Sequence, residues 1–193
     1  MTTPDPVLIQ VPERLLTERL VIAAPRAGLG QALNAAVCES LDDLRPWMPW
    51  AQTAPSIEES ETVLRHQLAR FILRSDLAYQ FYLREPGSEQ AGRLLGGTGL
   101  HRFDWAVRRF EIGYWIRTSA QGRGYVSEAV QALAGMAFDE LRARRVEIRM
   151  DERNLRSRAV AERCGFEFEG VLRRDTLCPS GELRDTRVYS RIA

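Results

Sequence analysis

The sequence predicts a mixed α/β fold of the α+β kind, a mostly antiparallel seven-stranded sheet with helices on both faces. Three observations carry that expectation. The runs 78–85, 93–103 and 108–116 read as strands and follow one another with only turns between them, as antiparallel hairpins do. Helix-like and strand-like stretches then alternate at 126–141, 145–150 and 154–164, so the chain must cross over the sheet. Two closing strand-like runs, EFEGVLRRDTL and LRDTRVYSRI, are joined by the turn-forming CPSG.

The elements follow in order. ERLVIAAP (18–25) is an edge strand stopped by Pro25, and 28–40 is a short helix. LRPWMPW (44–50) is irregular, because its two prolines interrupt helix and ladder alike. The stretch 56–73 is a helix with Ser56 as N-cap and Glu59 completing a capping box; Val63, Leu64, Leu68, Phe71 and Ile72 form its apolar side. In the helix 126–141, Val126, Val130, Leu133, Ala137 and Leu141 recur at near-helical spacing. The helix 154–164 closes on Gly165.

Composition narrows the class. At 193 residues the chain is expected to form one domain over 1–193, with 1–13 a flexible lead-in. A net charge of +1, with arginines scattered among acids, gives no basic stripe for nucleic acid. The apolar runs are too short for a membrane helix, and the N-terminal stretch lacks the pattern of a secretory leader. Cys38, Cys164 and Cys178 form no CxxC pair, which suits free thiols in a cytoplasmic setting. With only His66 and His101, no metal site is expected; His101 and Cys164 read as structural. All 27 basic residues are arginine.

Between a strand and a helix lies QGRGYVSEA (121–129). It has no Gly-Lys-Ser/Thr, and Ser127 stands where a dinucleotide fingerprint needs a third glycine. What remains is either a simple turn or a cradle of backbone N–H groups from Gln121, Gly122, Arg123, Gly124, Tyr125 and Val126 at the positive end of a helix, suited to phosphate.

QGRGYVSEA has the Q/R-x-x-G-x-G/A form of motif A in the GNAT acetyltransferase superfamily. LLTERLVIAAP, WMPW, EIGYWI, RNLRSRAVAERCGFEFEGVLR and GELRDTRVYS, in that order over most of 14–190, resemble its RimJ/RimL branch of ribosomal-protein N-acetyltransferases. The resemblance implies a sheet splayed between its fourth and fifth strands, with acetyl-CoA in the splay and its pyrophosphate on the amides of 121–126. Arg123 either adds charge near the phosphates or is a solvated loop residue. The resemblance also makes a homodimer plausible.

Acetyl transfer from a thioester to an amine needs a neutral amine, donors for the oxyanion and a stabilised thiolate; it needs no metal and no protein nucleophile. In RFEIGYWI, Glu111, Gly113 and Trp115 share one strand face, opposite Phe110, Ile112 and Tyr114. Glu111 is either a surface carboxylate or the base, and the resemblance places an acidic residue here in the acceptor site. It implies that this strand bulges at its end, so that N–H groups of Ile116 and Arg117 bind the thioester carbonyl. Asn154 suits a helix N-cap, and the resemblance adds a hydrogen bond to the pantetheine arm. Ser157 lies on the core-facing side of that helix and becomes the candidate acid for the thiolate. Other superfamily members use a tyrosine, for which the sequence alone offers no clear counterpart. Trp47 and Trp50 are either core plugs or walls of the acceptor site.

The resemblance favours a protein N-terminal α-amine, ribosomal in type, as acceptor. Such an amine titrates near ~7.7–8.0, against ~10.4 for lysine, so a modest base suffices. Amino sugars, amino acids and polyamines remain open, as does a non-catalytic acetyl-CoA-binding module. The acids Asp42, Asp43, Glu58 and Glu59 are candidate attractors for a cationic tail.

Overall fold

The computed structural model describes residues 5–85 and 87–193. Eight strands form one sheet: β1 (Arg14–Leu16), β2 (Leu20–Ala23), β3 (Leu77–Arg84), β4 (Ala91–Asp104), β5 (Arg109–Ile116), β6 (Arg145–Asp151), β7 (Glu167–Leu177) and β8 (Leu183–Ile192). Their order is β1-β2-β3-β4-β5-β6-β8-β7. Every neighbouring pair is antiparallel except β5–β6. The helices are α1 (Gly30–Leu44), α2 (Ile57–Ile72), α3 (Tyr125–Asp139) and α4 (Leu155–Arg163).

The count corrects the expected seven strands. The extra one, β1, is three residues long, too short to show alternation, and pairs with β2 across a turn. Helix α1 runs to Leu44 rather than stopping at 40, because Leu41 and Leu44 still bury themselves; Pro46 follows close behind. The capping box of Ser56 and Glu59 is present. The apolar side of α2 is narrower than its sequence suggests: Leu64 and Phe71 are buried, whereas Val63 and Ile72 are about half exposed. Ser60 takes a buried place instead. Gly30 explains why, since a Cβ there would lie 2.8 Å from the Glu61 backbone nitrogen, so α1 begins directly against this part of α2.

Each face of the sheet has its own core. Val130, Leu133, Ala134 and Ala137 of α3 and Ala161 of α4 pack on Ile22, Phe81, Phe110, Ile112 and Ile148. Leu33, Val37, Leu41 and Leu44 of α1 and Leu64 of α2 pack on Val21, Tyr82 and Leu94. Of the lead-in expected to be flexible, residues 1–4 lie outside the described residues. The rest is anchored: Val11 is buried, the Tyr79 hydroxyl donates to Pro12 O at 2.6 Å, and Arg74 Nε donates to Ile9 O at 3.0 Å.

A part-buried ion pair fixes α1 to the end of β5. Glu39 Oε2 accepts from Arg117 Nη1 at 2.5 Å and from Arg93 Nη2 at 2.9 Å, while its Oε1 accepts from Ser119 N at 3.0 Å. Burial alone would raise the Glu39 carboxyl, but hydrogen bonds from Ser119 and Arg117 outweigh it and hold it at about 2, against an ordinary 4.5. A depressed carboxyl contributes stability that is complete above its unfolded value and lost as pH falls through the folded one. The stability gap between wild type and Glu39→Gln should therefore be widest above pH 4.5 and close towards pH 2 in denaturant titrations. A gap that does not change with pH would remove the carboxylate's charge from the account.

Candidate active site

The site starts where two strands part. β5 and β6 pair in parallel at Arg109, Phe110 and Glu111, opposite Arg145, Val146 and Glu147. Beyond Glu111, β5 continues to Ile116 and β6 to Asp151 without further pairing. On its other edge β5 stays in regular register with β4 through Gly96 and Ile116. The expected bulge at Ile116 and Arg117 is absent from this register. The Arg117 amide donates to Leu95 O at 2.7 Å, so it belongs to the sheet and is not free to bind a carbonyl. Strand amides alternate sides. Those of Trp115 and Gly113 therefore face β4 with Arg117, and those of Ile116 and Tyr114 face the opening left by β6. The parting of strands, rather than a bulge, thus leaves the Tyr114 and Ile116 amides without a sheet partner.

Tyr114 reaches across that opening. Its hydroxyl lies 2.8 Å from Ser157 Oγ and donates to Ser157 O at 3.1 Å. Burial pushes the phenol well above its ordinary value, despite the hydrogen bond from Ser157. Asn154 caps α4, its Oδ1 accepting from Ser157 N at 3.0 Å. Ser157 is therefore oriented twice, by the cap behind it and by the phenol in front. The β5 alternation puts Tyr114 on the core-facing side with Phe110 and Ile112, and only the topology brings it to α4.

At the outer end of the opening, Gly122 and Gly124 have φ of +72° and +80°, a region that disfavours side chains. Gly124 is the N-cap of α3 and offers no side-chain bond. The first helical bond runs from Glu128 N to Gly124 O, so the amides of Tyr125, Val126 and Ser127 have no partner within the helix. These features fit an anionic group. Gln121 stands apart: its amide donates to Thr118 O, and its side chain links Asp43 to Arg156. The Arg123 side chain is exposed. The cradle is braced by Arg19, which donates through Nη1 to Arg123 O at 3.0 Å and through Nε to Glu128 Oε2 at 2.7 Å.

Glu111 lies on the opposite sheet face from Phe110 and Ile112, as its alternation requires, with 18% of its side chain exposed. Burial raises its pKa, while Arg102 (Nη1 at 3.7 Å), Arg149 and His101 oppose the shift. His101 is its cross-strand partner, and the imidazole covers Gly99 and Gly113, where added Cβ atoms would meet the ring at about 2.8 and 3.0 Å. Its Nδ1 is 2.7 Å from Asp76 Oδ2, a contact that holds the ring over the two glycines. Trp50 meets Trp115 edge-on at 6.0 Å, which brings it to the face that carries Glu111. Trp47 is half-buried in the turn after α1, and no aromatic contact places it beside Trp115 among the described residues. Asp42, Asp43 and Glu59 are committed to Arg45, to Thr118 and Gln121, and to the α2 cap.

The family model described as acetyltransferase (GNAT) domain matches residues 19–167. The Bacillus subtilis (strain 168) protein YdaF is 42% identical over 106 residues, an alignment that spans only 55% of this chain and 57% of YdaF. The Escherichia coli (strain K12) ribosomal-protein-serine acetyltransferase is 26% identical over 177 residues, 92% of this chain and 94% of the relative. The solved structure of RimL, a ribosomal L7/L12 alpha-N-protein acetyltransferase in complex with coenzyme A, superposes with a TM-score of 0.82 at 24% identity, covering 94% of this chain and 97% of that one. That likeness speaks for the fold, and the family match covers both strands of the splay, the glycine loop and α4. The chain belongs to the acetyltransferase (GNAT) domain family.

Proposed function

We propose that the protein is an acetyl-CoA-dependent N-acetyltransferase that acetylates a primary amine, a protein N-terminal α-amine of the ribosomal type. The observation that carries this reading is the β5–β6 splay, which leaves backbone donors facing an opening with a hydroxyl pair on one side and a buried carboxylate on the strand between. The relatives named above include a ribosomal-protein-serine acetyltransferase, which supports the choice of acceptor.

Acetyl-CoA, when bound, supplies an acetyl group already activated as a thioester. In this reading the amides of Gly122 to Ser127, with Arg123 near them, hold the pyrophosphate, and Asn154 steadies the pantetheine arm. The Tyr114 and Ile116 amides donate to the carbonyl oxygen and to the negative charge that develops on it. Glu111 removes the proton from the attacking amine, directly or through water. Its raised pKa brings it nearer the working range of a general base. The Tyr114–Ser157 hydroxyl pair donates a proton or a hydrogen bond to the departing sulfur. Trp50 and Trp115 form an apolar wall for the acceptor.

The deciding experiment screens acetyl transfer to peptide N-termini against amino sugars, amino acids and polyamines, with acetyl-CoA binding measured in parallel. Saturable binding with no turnover on any amine would favour a non-catalytic module. Glu111→Gln is expected to lower turnover at least about 100-fold, the usual scale for a general base, with acetyl-CoA affinity kept within about twofold. Below the raised pKa of Glu111 the wild-type log kcat/KM should fall by about two units per pH unit, one from the amine and one from the base. The glutamine variant should keep only the amine's step. Gly124→Val places a β-branched residue at φ +80° and should weaken acetyl-CoA binding by at least about tenfold, or ~1.4 kcal/mol. Unaltered affinity would remove the loop from the cofactor site.

A further inference from the structure

The sheet face that carries Glu111 continues across β6, β8 and β7, and it holds a cavity of about 270 Å3 there. Its lining includes Arg102, Arg149 and Arg184 together with Glu111, Asp175 and Thr186. Arg149 is bonded to Asp175 at 3.0 Å, and Arg102 lies 3.7 Å from Glu111. Arg184 is the least closely paired of the three guanidinium groups. The carboxylate beside it, Asp151, is 4.0 Å away and already accepts from Arg153 Nη2 and Nε at 2.8 and 3.0 Å.

A second observation points the same way. Among the described residues, Arg149 Nε, Arg184 Nε and Thr186 Oγ1 are buried without a hydrogen-bond partner. Thr186 is only 3% exposed. Buried polar atoms are nearly always satisfied, so three unpaired ones on residues that line one cavity point to a polar occupant beside them, water or a ligand group. Guanidinium groups recognise carboxylate and phosphate alike. With Arg102 and Arg149 already facing carboxylates, the cluster suits a singly charged carboxylate better than a phosphate, which carries close to two negative charges. The cavity lies at the small end of ligand sites, with room for an amino-acid-sized group.

We infer that this cavity is an acceptor subsite for a carboxylate, so the amine substrate carries a carboxylate a few bonds from its nitrogen. An acidic N-terminal residue of a polypeptide and a free acidic amino acid share that chemistry. The inference rests on the N-acetyltransferase reading above: Glu111, on the rim of the same cavity, takes the ammonium end, and Arg149 and Arg184 take the carboxylate end. A lysine-rich tail would meet Arg149 and Arg184 instead and be disfavoured.

The test measures kcat/KM for acetyl transfer to two matched pairs, peptides that begin with Asp or Asn and free aspartate or asparaginamide, which carries no carboxylate. The acidic member of at least one pair should exceed its amide by about tenfold or more, as a site built around a polar group discriminates against an analogue lacking it. The responding pair tells a polypeptide acceptor from a free amino acid. In Arg184→Gln the acid-to-amide ratio should fall towards one while acetyl-CoA affinity is retained. If that variant fails to bind acetyl-CoA, Thr186→Val, which removes an orphan without changing charge, should lower the same ratio. Equal kcat/KM within both wild-type pairs, or acetylation of other amines but of neither pair, would overturn the subsite and leave the acetyltransferase standing. Absence of transfer to any amine would instead bring down the acetyltransferase reading, and the subsite with it.

Discussion

Two parallel strands that begin in register and then separate create a debt of unpaired backbone donors, and the site is organised around that fact. A strand inside a sheet ordinarily has partners on both edges. β5 keeps both only as far as Glu111, after which β4 holds one edge and nothing in the sheet holds the other. An amide left without a partner is costly when buried, so the arrangement persists only if the opening admits water or a ligand with acceptors along its length. Pantetheine, a chain of amides and a thioester, has acceptors of that kind.

What keeps the strands apart is a set of contacts from outside the pair. Tyr114 projects from β5 to α4, where Asn154 has already fixed the turn that presents Ser157. Glu39 grips Arg117 and Ser119, so the outer end of β5 is tied to α1 and cannot drift towards β6. Arg19 and Glu128 join the β1–β2 turn to the first turn of α3 and set the direction of its amides. These three anchors come from distant parts of the sequence, and each acts on a different side of the opening. The glycine loop, the hydroxyl pair and the carboxylate are consequently held by one framework, and each can be perturbed without dissolving the others.

Much of this was legible in the chain itself. The alternation in RFEIGYWI put Glu111 on the face opposite the α3 core, the glycines of QGRGYVSEA marked a loop with positive φ, and Ser56 with Glu59 announced the start of α2. Local rules suffice for such features because the residues concerned are neighbours. Arg117 was misread as a backbone donor because amide direction depends on strand register, which no single strand records. Tyr114 went unnoticed because the same periodicity that places it on the core side says nothing about the helix it meets, 43 residues further on. The cavity beside Glu111 draws its arginines from β4, β6 and β8, so it exists only once β8 has inserted between β6 and β7. Val63 and Ile72 look like core by period alone and are not, since one glycine in α1 decides which side of α2 is approached.

The central claim is that the opening between β5 and β6 is where acetyl-CoA binds. Amide hydrogen exchange, read at residue level with and without acetyl-CoA, tests it directly, because an amide that gains an acceptor slows its exchange. The account predicts new protection at Tyr114, Ile116 and the stretch Gly122–Ser127, with Trp115 and Arg117 already slow in the free protein and little changed. Protection confined to other strands, or none at all at saturating acetyl-CoA, would contradict it.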